Sequence, residues 1–113
     1  MKILDSKDII SFDEERKLNM HYYYRLTSTK LNNKQAFGIE VERQDFSEGV
    51  IKNIERESIP VISEAREEVC NIVELLAANI VAPIHVIDII GEKVDELAYQ
   101  FGKSIEILNY QYS

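Results

Sequence analysis

The chain has 113 residues, 45% hydrophobic and 29% charged, which suits one folded domain and is too apolar for a disordered segment. Twenty acidic against thirteen basic residues leave a net charge of −7. That balance opposes phosphate backbones and anionic lipid, so neither nucleic acid nor a membrane is an expected partner.

Residues 1–17 mix Ile3, Leu4, Ile9, Ile10 and Phe12 irregularly with Asp and Lys, and close on the charged run Asp13–Lys17. They read as an arm or a short strand. The start is too charged for a signal peptide, and no stretch reaches the roughly 18 apolar residues of a membrane span. Cys70 is the single cysteine, so no internal disulfide is available and a reducing cytoplasm is the expected location.

From Leu18 the pattern alternates. Leu18, Met20, Tyr22, Tyr24 and Leu26 interleave with Asn19, His21, Tyr23, Arg25 and Thr27, the period of a half-buried strand. Asn32-Asn33 supplies turn chemistry. Phe37, Ile39 and Val41 then alternate with Gly38, Glu40 and Glu42. A tight connection at Asp45–Gly49 leads into a third strand, Val50 to about Ser58, whose weak alternation and Lys52 suit a sheet edge. Residues 18–58 are therefore expected to form an antiparallel three-stranded meander, extended if a terminal strand joins it.

After Pro60 the period becomes helical. Ser63 is the expected N-cap of a helix whose stripe is Val69, Ile72, Val73, Leu76 and Ile80. Ala82-Pro83 ends it and opens a second helix over about 83–101, with Ile87, Ile90, Val94, Leu97, Ala98 and Phe101 as its stripe and Gly102 as its cap. The fold class is α+β, with the helix pair of residues 63–101 covering the apolar sheet face. Residues 102–113 are a tail, apolar from Ile105 to Tyr112, able to dock or to add a strand.

Candidate chemistry is sparse. His85, Asp88 and Glu92 share one side of the second helix. A cation site would need ligands from another element, and a solvated helix face explains them equally. His21, Tyr23 and Arg25 lie on the polar side of the first meander strand, beside Glu40 and Glu42. They could orient a general base or simply pair across strands. Cys70 lacks a neighbouring activator in sequence and reads as a packed side chain. Leu75 and Ile89 project off their helical stripes, marking either tail docking or contact with another chain. No catalytic residue, metal or cofactor is assigned.

The run Tyr22-Tyr23-Tyr24-Arg25-Leu26, the strand Gly38–Arg43, the segment Asn53–Arg56 and the stretch Pro83–Glu92 resemble a family of short, functionally uncharacterised proteins of clostridia and related Gram-positive bacteria. The similarity spans about residues 20–96. It implies a bacterial cytoplasmic protein and transfers no activity and no site. The expected function is a small binding or regulatory module working through protein contacts, as a homo-oligomer or with a protein partner. The alternative is a small-ligand binder or enzyme using the polar sheet face or the His85 region.

Overall fold

The structure, a computed structural model, describes the backbone of residues 1–112 and the side chains of residues 1–103. Four strands precede the helices: β1 (Lys2–Asp13), β2 (Leu18–Leu31), β3 (Lys34–Ser47) and β4 (Val50–Ser63). They form one antiparallel sheet in the order β1-β2-β3-β4. The expected three-stranded meander is thus four-stranded, because the irregular N-terminal segment pairs with β2 from Lys2 to Asp13. Its alternation is masked by a register shift between Ile3 and Asp5 and by its edge position, where Leu4 and Ile9 are only partly buried against the core.

Both later hairpins close on two residues with positive φ: Asn32 (52°) and Asn33 (65°), then Glu48 (51°) and Gly49 (77°). That backbone matches the twist of the flanking strands, which is why Asn and Gly stand there. The strand predicted to stop near Ser58 runs on to Ser63 and contains Pro60, tolerated because β4 is an edge. A second register shift, between Asp45 and Phe46, changes the phase of β4 at Lys52. Val50 therefore lies on the opposite side of the sheet from Ile54 and Arg56.

The helix layer follows: α1 (Arg66–Ala78), a 3₁₀ turn (Pro83–His85) and α2 (Val86–Tyr112). Ser63 caps no helix. Its hydroxyl accepts from the Ala65 N–H at 3.0 Å and shapes the corner between β4 and α1. Val69, Ile72, Val73, Leu76 and Ala77 are the buried stripe of α1. On α2 it is Val86, not Ile87, that starts the stripe completed by Ile90, Val94, Leu97 and Phe101. The 3₁₀ turn delays the helix and rotates Ile87 outward, leaving it half exposed. Gly102 is no cap either, since α2 continues through it to Tyr112 and takes the place of an added strand. The side chains from Ile105 to Tyr112, on which tail docking depends, lie outside the described residues.

Ile80, expected on the stripe of α1, sits just past the helix with a φ of 48°. The Val81 N–H donates to the Leu76 carbonyl at 3.1 Å and the Ile80 N–H to that of Ala77 at 3.2 Å. These two bonds make a Schellman closure, with Ile80 in the left-handed position that glycine usually fills. A β-branched residue there is strained by about 1–2 kcal/mol. Ile80→Gly is expected to stabilise the protein by about 0.5–1 kcal/mol net of glycine's entropy, read as a higher urea midpoint. An unchanged or lower midpoint counts against the strain.

The core lies between the helices and one sheet face, where Tyr22, Tyr24, Leu26, Ile39 and Val41 meet Val69, Leu76, Val86 and Ile90. Tyr24 is fully buried, and its phenol donates to the Val81 carbonyl at 2.9 Å, tying the α1–α2 connection to β2. Burial pushes that phenol well above its ordinary titration range. At the edge, Lys7 of β1 reaches Glu74 of α1 at 3.9 Å, an exposed pair of little energetic weight.

Candidate functional site

In an antiparallel ladder, residues directly opposite share a face, so the register defines the second side of the sheet. Four ranks cross it from β1 to β4: Phe12-Asn19-Phe46-Ile51, Ile10-His21-Gln44-Ile54, Asp8-Tyr23-Glu42-Arg56 and Ser6-Arg25-Glu40-Ser58. The helices pack against the other face. This second face therefore shows two chemistries: charge in its last two ranks and, in the first two, apolar side chains at both edges.

The charged ranks form a connected network. Arg25 donates to Glu40 at 2.9 Å and lies 3.6 Å from Glu42. Arg56 donates to Glu42 through Nε at 2.7 Å and also through Nη2, and reaches Glu40 at 3.4 Å. Gln44 Nε2 donates to the other Glu42 oxygen at 2.7 Å. Although no helix covers them, the Glu40 and Glu42 side chains are only 10% and 4% exposed. Burial raises the Glu42 carboxyl, but the hydrogen bonds from Arg56 and Gln44, with the charges of Arg56 and Arg25, outweigh it and hold the carboxyl below its ordinary value. Beside this network the His21 and Tyr23 rings stack at 4.2 Å, and the Tyr23 hydroxyl lies 3.1 Å from His21 Nδ1. The Arg25 guanidinium sits 4.8 Å over the Tyr23 ring, and Asp8 lies 3.8 Å from His21 Nε2.

His21, Tyr23, Arg25 and Glu40 are thus brought together. The other four predicted positions are not part of this group. His85 is exposed in the 3₁₀ turn and Asp88 is exposed in the first turn of α2. Leu75 and Ile89 are about half exposed on the helix layer, as expected from their off-stripe positions. Leu75 borders a shallow groove between α1 and α2 with Glu68, Asn71, Ile72 and Lys93. Among the described residues, no three of His, Cys, Asp and Glu converge in a way that could hold a metal ion. Cys70 is half-buried against the core.

Sequence reasoning missed the link between Glu42 and Arg56. Regular counting back from the Ser47–Val50 hairpin puts Glu55 opposite Glu42, and the bulge at Lys52 replaces it with Arg56. The available signal was electrostatic: two glutamates directly opposite are unfavourable, and a one-residue slip removes the clash. The apolar end of this face was missed because β1 was not assigned a register.

These features define a small α+β protein with a helix-backed sheet and an uncovered face carrying a pre-paired charge network. The chain belongs to a family of unknown function, DUF6514, whose model matches residues 1–96. No curated protein and no solved structure matches it. No helix among the described residues is long and apolar enough to cross a membrane.

Proposed function

We propose that the chain is a small bacterial cytoplasmic binding module that acts through protein–protein contacts, with the second face of the sheet as its contact surface. The observation that carries this reading is the composition of that face. Phe12, Ile10, Ile51 and Ile54 are 46–70% exposed there, beside Tyr23 and two arginines. Aromatic residues and arginine are the side chains that dominate protein interfaces, and here exposed apolar pairs, Ile10 with Phe12 on β1 and Ile51 with Ile54 on β4, stand at both edges of the face. The arginines arrive already paired with Glu40 and Glu42, so covering them leaves no orphaned charge.

The test is affinity capture with immobilised full-length chain. A protein held by the wild type is expected to fall at least about tenfold with Phe12→Ser, the loss typical of an anchoring aromatic, and to persist with Leu75→Asp on the helix layer. Capture insensitive to Phe12→Ser, or lost with Leu75→Asp instead, overturns the assignment. A second reading rests on the Tyr23–His21–Asp8 line: a small-ligand site in which the imidazole is held by its neighbours. It would show as ligand-dependent shifts of the His21 ring resonances that Tyr23→Phe removes.

A further inference from the structure

We infer that the occupant of this face is a second copy of the chain, docked sheet to sheet about a two-fold axis that runs along the strands between β2 and β3. The inference rests on the contact surface proposed above and names its partner.

The argument begins with where the charge lies. Residues 64–103, from the start of the helix layer, hold eight acidic against three basic residues, a net charge of −5. Residues 1–63, the sheet, hold eleven against ten, a net charge of −1. Two copies meeting through their helices would bring the acidic layers together. Meeting through their sheets, they place those layers on opposite outer sides, where repulsion is weakest and most screened.

Symmetry supplies the second step. The stated axis carries each rank onto itself reversed, so that β1 lies over the partner's β4 and β2 over the partner's β3. Ile10 then faces the partner's Ile54, and Phe12 faces the partner's Ile51. Asp8 faces the partner's Arg56, and Arg25 faces the partner's Glu40. In these pairs apolar meets apolar and charge meets opposite charge, twice over as an isologous interface requires, while along the axis Tyr23 faces the partner's Glu42 and Asn19 the partner's Phe46. Asp8 and Arg56 are each about half exposed, and the hydrogen bonds of Arg56 to Glu42 use Nε and Nη2, which leaves Nη1 for the partner's carboxylate.

Size is the third step. Strands about 4.8 Å apart and ranks about 6.8 Å apart give the four ranks a projected area on the order of 500 Å². Side-chain relief brings the accessible area toward the roughly 800 Å² per partner of a standard interface. Aligned sheets pack about 10 Å apart with a modest twist, which keeps facing ranks together near the axis.

The experiment is light scattering and sedimentation of the full-length chain from about 1 to 200 µM. The expected mass is twice the 13.1 kDa of one copy. Ile54→Lys and Asp8→Arg, both at exposed positions, are each expected to give the single-copy mass with an unchanged circular dichroism spectrum. The second variant sets two arginines against each other across the axis without altering the core. Leu75→Asp is expected to remain dimeric. A single-copy mass throughout the range overturns the inference; the contact reading survives that result if capture still depends on Phe12. A dimer indifferent to Ile54→Lys and Asp8→Arg but dissociated by Leu75→Asp overturns both.

Discussion

Gly38→Ala is expected to lower the stability of the protein by about 3 kcal/mol or more, far beyond the ordinary cost of a surface substitution. Between the pairs Phe37↔Ser63 and Ile39↔Ile59, β3 advances two residues while β4 advances four. The surplus backbone of β4 crosses the second face at Gly38. A β-carbon there would stand closer than 3.0 Å to the Ile59 and Pro60 carbonyl groups, which are main chain and cannot rotate away. Relief requires unpicking the bulge, and with it the seating of the buried Ile62 that leads into α1. Gly49→Ala is the control. Its φ of 77° makes alanine unfavourable by about 1–2 kcal/mol, but open space surrounds the new methyl group. Urea denaturation of both variants decides the matter: a loss under 1 kcal/mol for Gly38→Ala would mean the two strands part easily.

That glycine also shows how far the fold can be read from residues. An interior strand glycine and a proline in the next strand are bulge signals, yet neither residue reveals its partner without the register. Where hairpins are regular, reasoning from alternation succeeds. The Leu31–Lys34 closure runs without interruption to Arg25 opposite Glu40, and Tyr22, Tyr24 and Leu26 face the core as the period of two requires. Where a bulge intervenes, alternation changes phase silently. This is why the β3–β4 pairing, the true extent of β4 and the partner of Glu42 were not legible.

The helices teach a different lesson. Their stripes follow the 3.6-residue period, and most of the expected core positions are buried. The errors fall at the ends, where Ile80 leaves α1 through a left-handed closure and Ile87 is rotated out by the 3₁₀ turn. Gly102 suggests a stop because glycine often follows a helix end, but a helix passes through a single glycine at a cost of about 1 kcal/mol. The candidate site was half legible for a related reason. Its polar members alternate on one strand and announce themselves, whereas Ile10, Phe12, Ile51 and Ile54 are ordinary aliphatic and aromatic residues until the sheet places them on one face.

The charge network gives the pH dependence. At neutral pH, Glu42→Gln is expected to cost about 2 kcal/mol, because it removes the charge that two arginines and Gln44 Nε2 converge upon in a nearly dry setting. The figure stays moderate because Arg56 is more than half exposed and Glu40 remains within reach of both arginines. For the same reason Glu40→Gln and Glu42→Gln together should cost more than the sum of the two, since each glutamate stands in for the other when alone. The folded carboxyl of Glu42 titrates below its ordinary value of 4.5, so the unfolded chain takes up its proton first as pH falls. Its contribution is therefore complete above that value and disappears as pH drops through the lower folded value. Urea midpoints of the wild type and Glu42→Gln should differ at pH 7 and converge once the pH has fallen through the depressed folded value. Added salt should reduce the difference only in part, because the Arg25–Glu42 contact is buried whereas Arg56 is open to ions. A gap that persists undiminished at low pH would mean that the side chain acts through its shape rather than its charge, and the electrostatic account of this face would fail with it.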